Sequence, residues 1–240
     1  MHTSPQTYAG HPPTPTGPAK FGADRVVGCG VMGVPFASGD YLALRRWPIS
    51  SFGPGYTSVW HRSPRGSWTL YADAPPEVSC ARFMSSAVEH AMTVPISLHW
   101  PSEDTLDIVA GTDLEWSLRL AQPVTTRMLS ALAGVLPQQV WHSDTALWLL
   151  GGIAGAVLGT GPVQMAGRTP NGHRFRVRPL RMWLVHESAA QIGRRSLGEP
   201  KPLAVAPRIG PVRLPQRGIF FADTTAEFVP PTDPPRTEEP

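Results

Sequence analysis

The sequence predicts a mainly β protein of α+β class: a curved antiparallel sheet or barrel carrying a two-helix insertion. Three observations predict it. Several runs alternate apolar and polar residues with period two. Two pairs of such runs are joined by strong turn sequences, Ser63-Pro64-Arg65-Gly66 and Thr169-Pro170-Asn171-Gly172. Between the two groups of strands the apolar period changes to the helical one.

In chain order, residues 1–24 are rich in Pro, Gly and Thr with few large apolar groups, and are expected to be disordered. Gly28-Cys29-Gly30-Val31-Met32-Gly33 has the spacing of a dinucleotide fingerprint. Pro35 follows at once and no acid lies near position 53, so it reads as a glycine-rich lead-in. Strands are predicted over 41–47, 56–62 and 67–73. The last two form a hairpin, because proline presets the turn between them. A loop follows, then 81–92 as a short helix or irregular edge. Strands return over 94–100, 105–110 and 114–120, where Leu114, Trp116, Leu118 and Leu120 alternate with Glu115, Ser117 and Arg119.

The helical insertion spans 123–160. Met128, Leu129, Leu132, Val135 and Leu136 recur at helical spacing until Pro137 stops them. Ser143 or Asp144 can cap the second helix. Its body, Ala146 to Gly159, has no charged side chain. About 14 residues are too few for a membrane span, which needs roughly 20. A buried helix is expected, with an interfacial helix as the alternative. Strands over 163–168, 173–178, 180–186 and 217–222 complete the domain, placed at 25–228. The end, 229–240, again reads as disordered.

At 240 residues the chain suits one large domain, and its net charge of +3 is too small to argue for nucleic acid. Two cysteines cannot build a disulfide framework or a four-thiolate metal site. No paired His or Cys spacing suggests a metal, and the sequence calls for no cofactor. No basic start is followed by an apolar core, so a cytoplasmic protein is expected, with membrane association as a variant.

Four groupings have chemistry to offer. If the odd-numbered faces of 56–62 and 67–73 coincide, His61, Tyr71 and Asp73 share a surface, with Glu77 and Arg82 in the adjoining loop. Such a set moves protons, with His61 or Asp73 as base. The plain alternative is an exposed polar face with a loop salt bridge. Glu89-His90 with His99, and His186-Glu187, point opposite ways along their strands and are not metal pairs. Arg174, Arg176 and Arg178 form a stripe that suits an anionic head group, a membrane surface or plain solvent. The Trp and Met set can line a pocket, for which Trp60, Trp116, Trp148, Met165 and Trp183 are the candidates together with Arg82, or can simply pack a core.

The hairpin Tyr56 to Asp73, taken with Val163 to His186, resembles lipocalin-like proteins of the carotenoid-hydratase and terpenoid-cyclase type. That resemblance implies a barrel around an apolar substrate and transfers no catalytic residue. The function expected first is binding of a hydrophobic small molecule such as a lipid, polyketide or isoprenoid. The alternatives are an acid–base isomerase, hydratase or cyclase using His61, Tyr71, Asp73 or Glu77, and a peripheral membrane or scaffold protein. The oligomeric state is left open.

Overall fold

The computed structural model describes residues 4–12 and 22–231. A short helix α1 (Pro5–Gly10) precedes strands β1 (Asp24–Pro35), β2 (Tyr41–Ser50), β3 (Tyr56–Arg62) and β4 (Trp68–Ala72). A one-turn helix α2 (Ala81–Met84) leads to β5 (His90–Thr93), β6 (Ile96–Ser102), β7 (Thr105–Ala110) and β8 (Leu114–Ala121). The insertion holds α3 (Val124–Val135), α4 (Gln138–Trp141) and α5 (Asp144–Leu158). Then come β9 (Ala166–Arg168), β10 (Arg174–Ile192), β11 (Arg195–Ser196), β12 (Arg208–Ile209), β13 (Val212–Arg213) and β14 (Ile219–Val229).

The main sheet runs β5-β4-β3-β2-β1-β14-β10-β8-β7-β6, with β9 and β11 paired to β10 and only β4 and β5 parallel. It is open and strongly curled, a half-barrel. The direction of the curl follows from its packing. Leu42 and Leu44 of β2 and Val59 of β3 share one apolar cluster with Leu106 and Ile108 of β7 and Trp116 of β8. Those strands are separated in the sheet by β1, β14 and β10. They meet only if the sheet folds toward this side, which is therefore the inner core. Alternate residues, among them Ala43, Trp47, Trp60, Leu70 and Phe221, form a second cluster on the outer face.

The predicted hairpin forms as expected. Gly66 N–H donates to Ser63 O at 2.9 Å, closing the turn, and Trp60 faces Leu70 across the pair. Several expectations are corrected. The glycine-rich lead-in is a strand near the middle of the sheet, where a Cβ on Gly28 would stand 2.1 Å from Arg46 O. Glycine is there because the backbones approach closely, not because the chain turns. The strands expected at 173–178 and 180–186 are one strand, β10, that runs through Pro179. The ladder to β14 keeps one register past it, with Pro179 opposite Thr224 and Arg181 opposite Ala222. The bulge of β14, where Asp223 is in the left-handed region at φ 49°, faces β1 instead. The last strand extends to Val229, beyond the predicted 217–222. Within the N-terminal stretch expected to be disordered, Ser4 caps α1, and Tyr8 lies 5.7 Å from the Trp183 ring. Residues 1–3, 13–21 and 232–240 of the two predicted tails lie outside the described residues.

The insertion has three helices, since Pro137 starts the one-turn α4 before α5 begins. Ser143 accepts from Ala146 N–H at 3.3 Å and caps α5, as expected, and Gly159 ends it in the left-handed conformation. The expectation of a buried helix holds for one face only. Leu147, Gly151, Ala154, Gly155 and Leu158 are buried, while Trp148 is 75% exposed and Leu149, Ile153 and Val157 are also exposed. The reason is geometric: a helix laid on a sheet covers one stripe at 3.6 spacing. Gly151 and Gly155 let it lie close, since a Cβ on either would meet Val163 O or Gly161 O at 2.0 and 2.1 Å. Among the described residues no helix is long and apolar enough to cross a membrane.

Candidate functional site

Between the outer face of the half-barrel and the helical insertion lies a cavity of about 130 Å³. Its floor comes from alternate residues of the sheet: Arg45 and Trp47 of β2, Trp60 of β3, Phe175 and Val177 of β10, Phe221 of β14. Its roof comes from Leu129, Leu132 and Leu136 of α3 and its end, Trp141 of α4, and Leu150, Ala154 and Leu158 of α5. Met165, in the segment after α5, closes one side. The wall is almost wholly apolar. The amide of Gln164, also in the wall, is already used: its Oε1 accepts from Arg213 N–H at 2.8 Å and its Nε2 donates to Ala166 O at 3.2 Å.

Arg45 is the one cationic side chain in that wall. It is 7% exposed. Nη1 donates to Val31 O at 2.6 Å and to Leu44 O at 2.8 Å. The guanidinium carbon lies 4.6 Å from the Trp60 ring centre and 5.4 Å from that of Phe221. No carboxylate among the described residues pairs with it. Burial lowers its pKa, opposed by the neighbouring Cys80, Tyr41 and Tyr56. Burial raises that of the Cys80 thiol, so the thiol stays neutral beside it.

The residues singled out from sequence are distributed between the two faces. Trp60 and Met165 line the cavity. Trp116 and Trp183 are buried in the inner core, where Trp116 Nε1–H donates to Ser188 Oγ at 2.8 Å. Trp148 is on the outer side of α5. Arg82 pairs with Asp24 Oδ2 at 3.0 Å and lies over the Phe52 and Phe83 rings.

The faces of β3 and β4 do coincide, with Val59 opposite Tyr71 and His61 opposite Thr69. That shared face is the inner one, which also holds Val59, so it turns away from the cavity. His61 and Asp73 sit at opposite ends of the hairpin, about 13 Å apart at strand spacing. Asp73 Oδ1 accepts from Thr57 N–H at 2.6 Å. Tyr71 is half-buried, and burial, followed by the charge of Asp113, raises its pKa. Glu77 is exposed in the turn Pro76–Val78. The set is therefore spread along the hairpin rather than brought to one point.

The partner of His61 is a residue the sequence did not suggest. Its Nε2 lies 2.7 Å from Oδ1 of Asp40, which is fully buried. Arg195 donates to both oxygens of Asp40 at 2.7 and 3.1 Å, and Ser38 Oγ–H donates at 2.7 Å. Burial alone would raise the Asp40 pKa, but the hydrogen bonds from Arg195, His61 and Ser38 outweigh it and hold the carboxyl below its ordinary value. The arginine stripe is also engaged rather than open. Arg174 and Arg176 both pair with Asp144 at the start of α5, the latter at 2.6 Å, and Arg178 lies over the Trp141 ring. These arginines fix the helical roof to the sheet and favour the negative charge at a helix N-terminus.

No family model and no curated protein matches the chain. Among solved structures it is similar to acetoacetate decarboxylase from Legionella pneumophila, at 10% identity and a TM-score of 0.39, over 90% of this chain and 86% of that one. A second acetoacetate decarboxylase structure is similar at 12% identity and a TM-score of 0.41, over 90% of this chain and 88% of the other.

Proposed function

We propose that the protein binds a hydrophobic small molecule between the outer face of its sheet and its helical insertion. The observation that supports this is the apolar cavity of about 130 Å³ walled by Trp47, Trp60, Phe175, Phe221 and the leucines of α3 and α5. A wall that is almost wholly apolar gains contacts when an apolar guest packs against it. An engineered cavity of about 150 Å³ holds benzene, so this one suits a ring or a branched chain of that size. A lipid, polyketide or isoprenoid guest seats one such portion. The pocket lies outside the half-barrel rather than in a barrel mouth, because the inner side is filled by its own core.

Thermal unfolding in the presence of toluene, hexanol and a short isoprenoid alcohol tests the reading. A ligand at about 100 times its Kd stabilises by about 2.7 kcal/mol, enough for a clear rise in Tm. No rise with any of the three sinks the proposal. Native mass spectrometry with organic extraction of fresh protein then identifies a resident guest.

One observation favours a second reading, contact with a bilayer surface. Met128, Val135, Trp148 and Ile153 expose apolar side chains on α3 and α5, between 55% and 78% of each. Exposed apolar surface of this kind marks association. Flotation with anionic liposomes should be lost in Trp148→Ser with Ile153→Ser. Wild-type protein that stays at the bottom of the gradient removes this reading.

A further inference from the structure

We propose that the guest of this cavity carries a carboxylate on a benzene-sized apolar body, and that Arg45 receives the carboxylate. The proposal rests on the pocket reading above and adds the chemical class of the ligand. A guanidinium offers five N–H groups in a planar fork. In Arg45, Nη1 alone is engaged, with Val31 O and Leu44 O. Nε and Nη2 meet no acceptor among the described residues. The Trp60 and Phe221 rings offer part of the compensation a buried cation needs. The missing part is an anion, since removing a charge from water without a counter-charge is costly.

The cavity wall holds a second unmet donor. The indole Nε1–H of Trp141 is buried with no acceptor among the described residues. A carboxylate is the group that matches an arginine fork, because its two oxygens accept two parallel hydrogen bonds. A phosphate fits less well: it brings more charge than one arginine neutralises, and no other cation lines the cavity. The 130 Å³ volume seats about one ring of the ligand beside that carboxylate.

The experiment titrates the full chain with benzoate, benzamide and toluene, followed by ligand-observed NMR and calorimetry. The three probes share a ring and differ in charge and polarity. Benzoate should bind wild type at least tenfold more tightly than benzamide or toluene. In Arg45→Met that preference should fall below about twofold while toluene still binds, a difference of about 1.4 kcal/mol per tenfold. Toluene or benzamide binding wild type as well as benzoate overturns the carboxylate assignment and leaves the apolar pocket standing. Failure of all three to bind overturns the pocket reading and this inference together. The wild-type comparison needs no variant, so a poorly folding Arg45→Met does not rescue the proposal. Arg45→Lys, which keeps the charge but loses the fork, should retain part of the preference.

Discussion

Asp40 and Arg45 are both buried charges on one short stretch of chain, and the fold treats them differently. Asp40, fully buried, accepts from Arg195, His61 and Ser38, so every lone pair it turns inward has a donor. Arg45, on the outer face, has two backbone carbonyls, two aromatic rings and no acid. A buried ion surrounded by partners holds architecture together. A buried ion short of a partner, in the wall of a cavity, is prepared for something the chain does not itself supply.

The largest effect should come from Asp40. Removing Asp40 leaves His61 and Ser38 without their partner, while the half-exposed Arg195 can turn to water, at a cost of about 2–3 kcal/mol. Asp40→Ala should lose about that much in urea unfolding. A loss below about 1 kcal/mol would mean that the network is incidental and would break the comparison.

Acid should reveal the same pairing. The folded-state pKa of Asp40 lies below its ordinary value. Its contribution is therefore present above the unfolded value, about 3.9, and is lost as pH falls through the folded one. The stability gap between wild type and Asp40→Asn should be widest near neutral pH and close below about pH 4. A gap that stays constant to pH 2 would show that the charge of Asp40 contributes nothing.

Arg45→Met should do less. It forfeits two charge-assisted hydrogen bonds but removes the cost of burying an unpaired cation. The two effects nearly offset, leaving a change within about 2 kcal/mol of either sign. If Arg45→Met is more destabilising than Asp40→Ala, Arg45 is part of the scaffold and its unmatched donors have no bearing on a ligand.

The sequence made the two regions unequally legible. The Ser63–Gly66 hairpin and the alternation of 114–120 were readable because turn chemistry and period two are local signals. Strand β1 was not, because its glycines answer to the backbones of neighbouring strands, which no local pattern encodes. Pro179 broke the reading of β10, because a proline reads locally as the end of a strand, whereas the pairing that carries β10 through it, Pro179 opposite Thr224, is with a strand distant in sequence. For the site, Trp60 and Met165 were visible as large apolar groups. Arg45 was hidden among many arginines in a strand, since only the third dimension shows that it lacks an acid. His61 was noticed, but its partner Asp40 is 21 positions away, and Arg195, which also binds Asp40, is 155 positions from it, too remote for spacing to suggest.

The smallest effect concerns the two thiols, one on each face. Cys29, in the inner core, is pushed by burial to about 12. Cys80, in the cavity wall, is also raised by burial, but the Tyr56 hydrogen bond and the positive charge of Arg45 pull it back. The reactive species is the thiolate, and its fraction falls tenfold for each unit by which the pKa exceeds the pH. Iodoacetamide at pH 8.5 should therefore label both thiols slowly, as peptide mapping would resolve. In Arg45→Met the cation that favours the Cys80 thiolate is gone, so its labelling should slow while that of Cys29 stays as it is. Unchanged Cys80 labelling in that variant would mean that the Arg45 charge is screened from the cavity wall, and that an anionic guest would sense it no better than the thiol does.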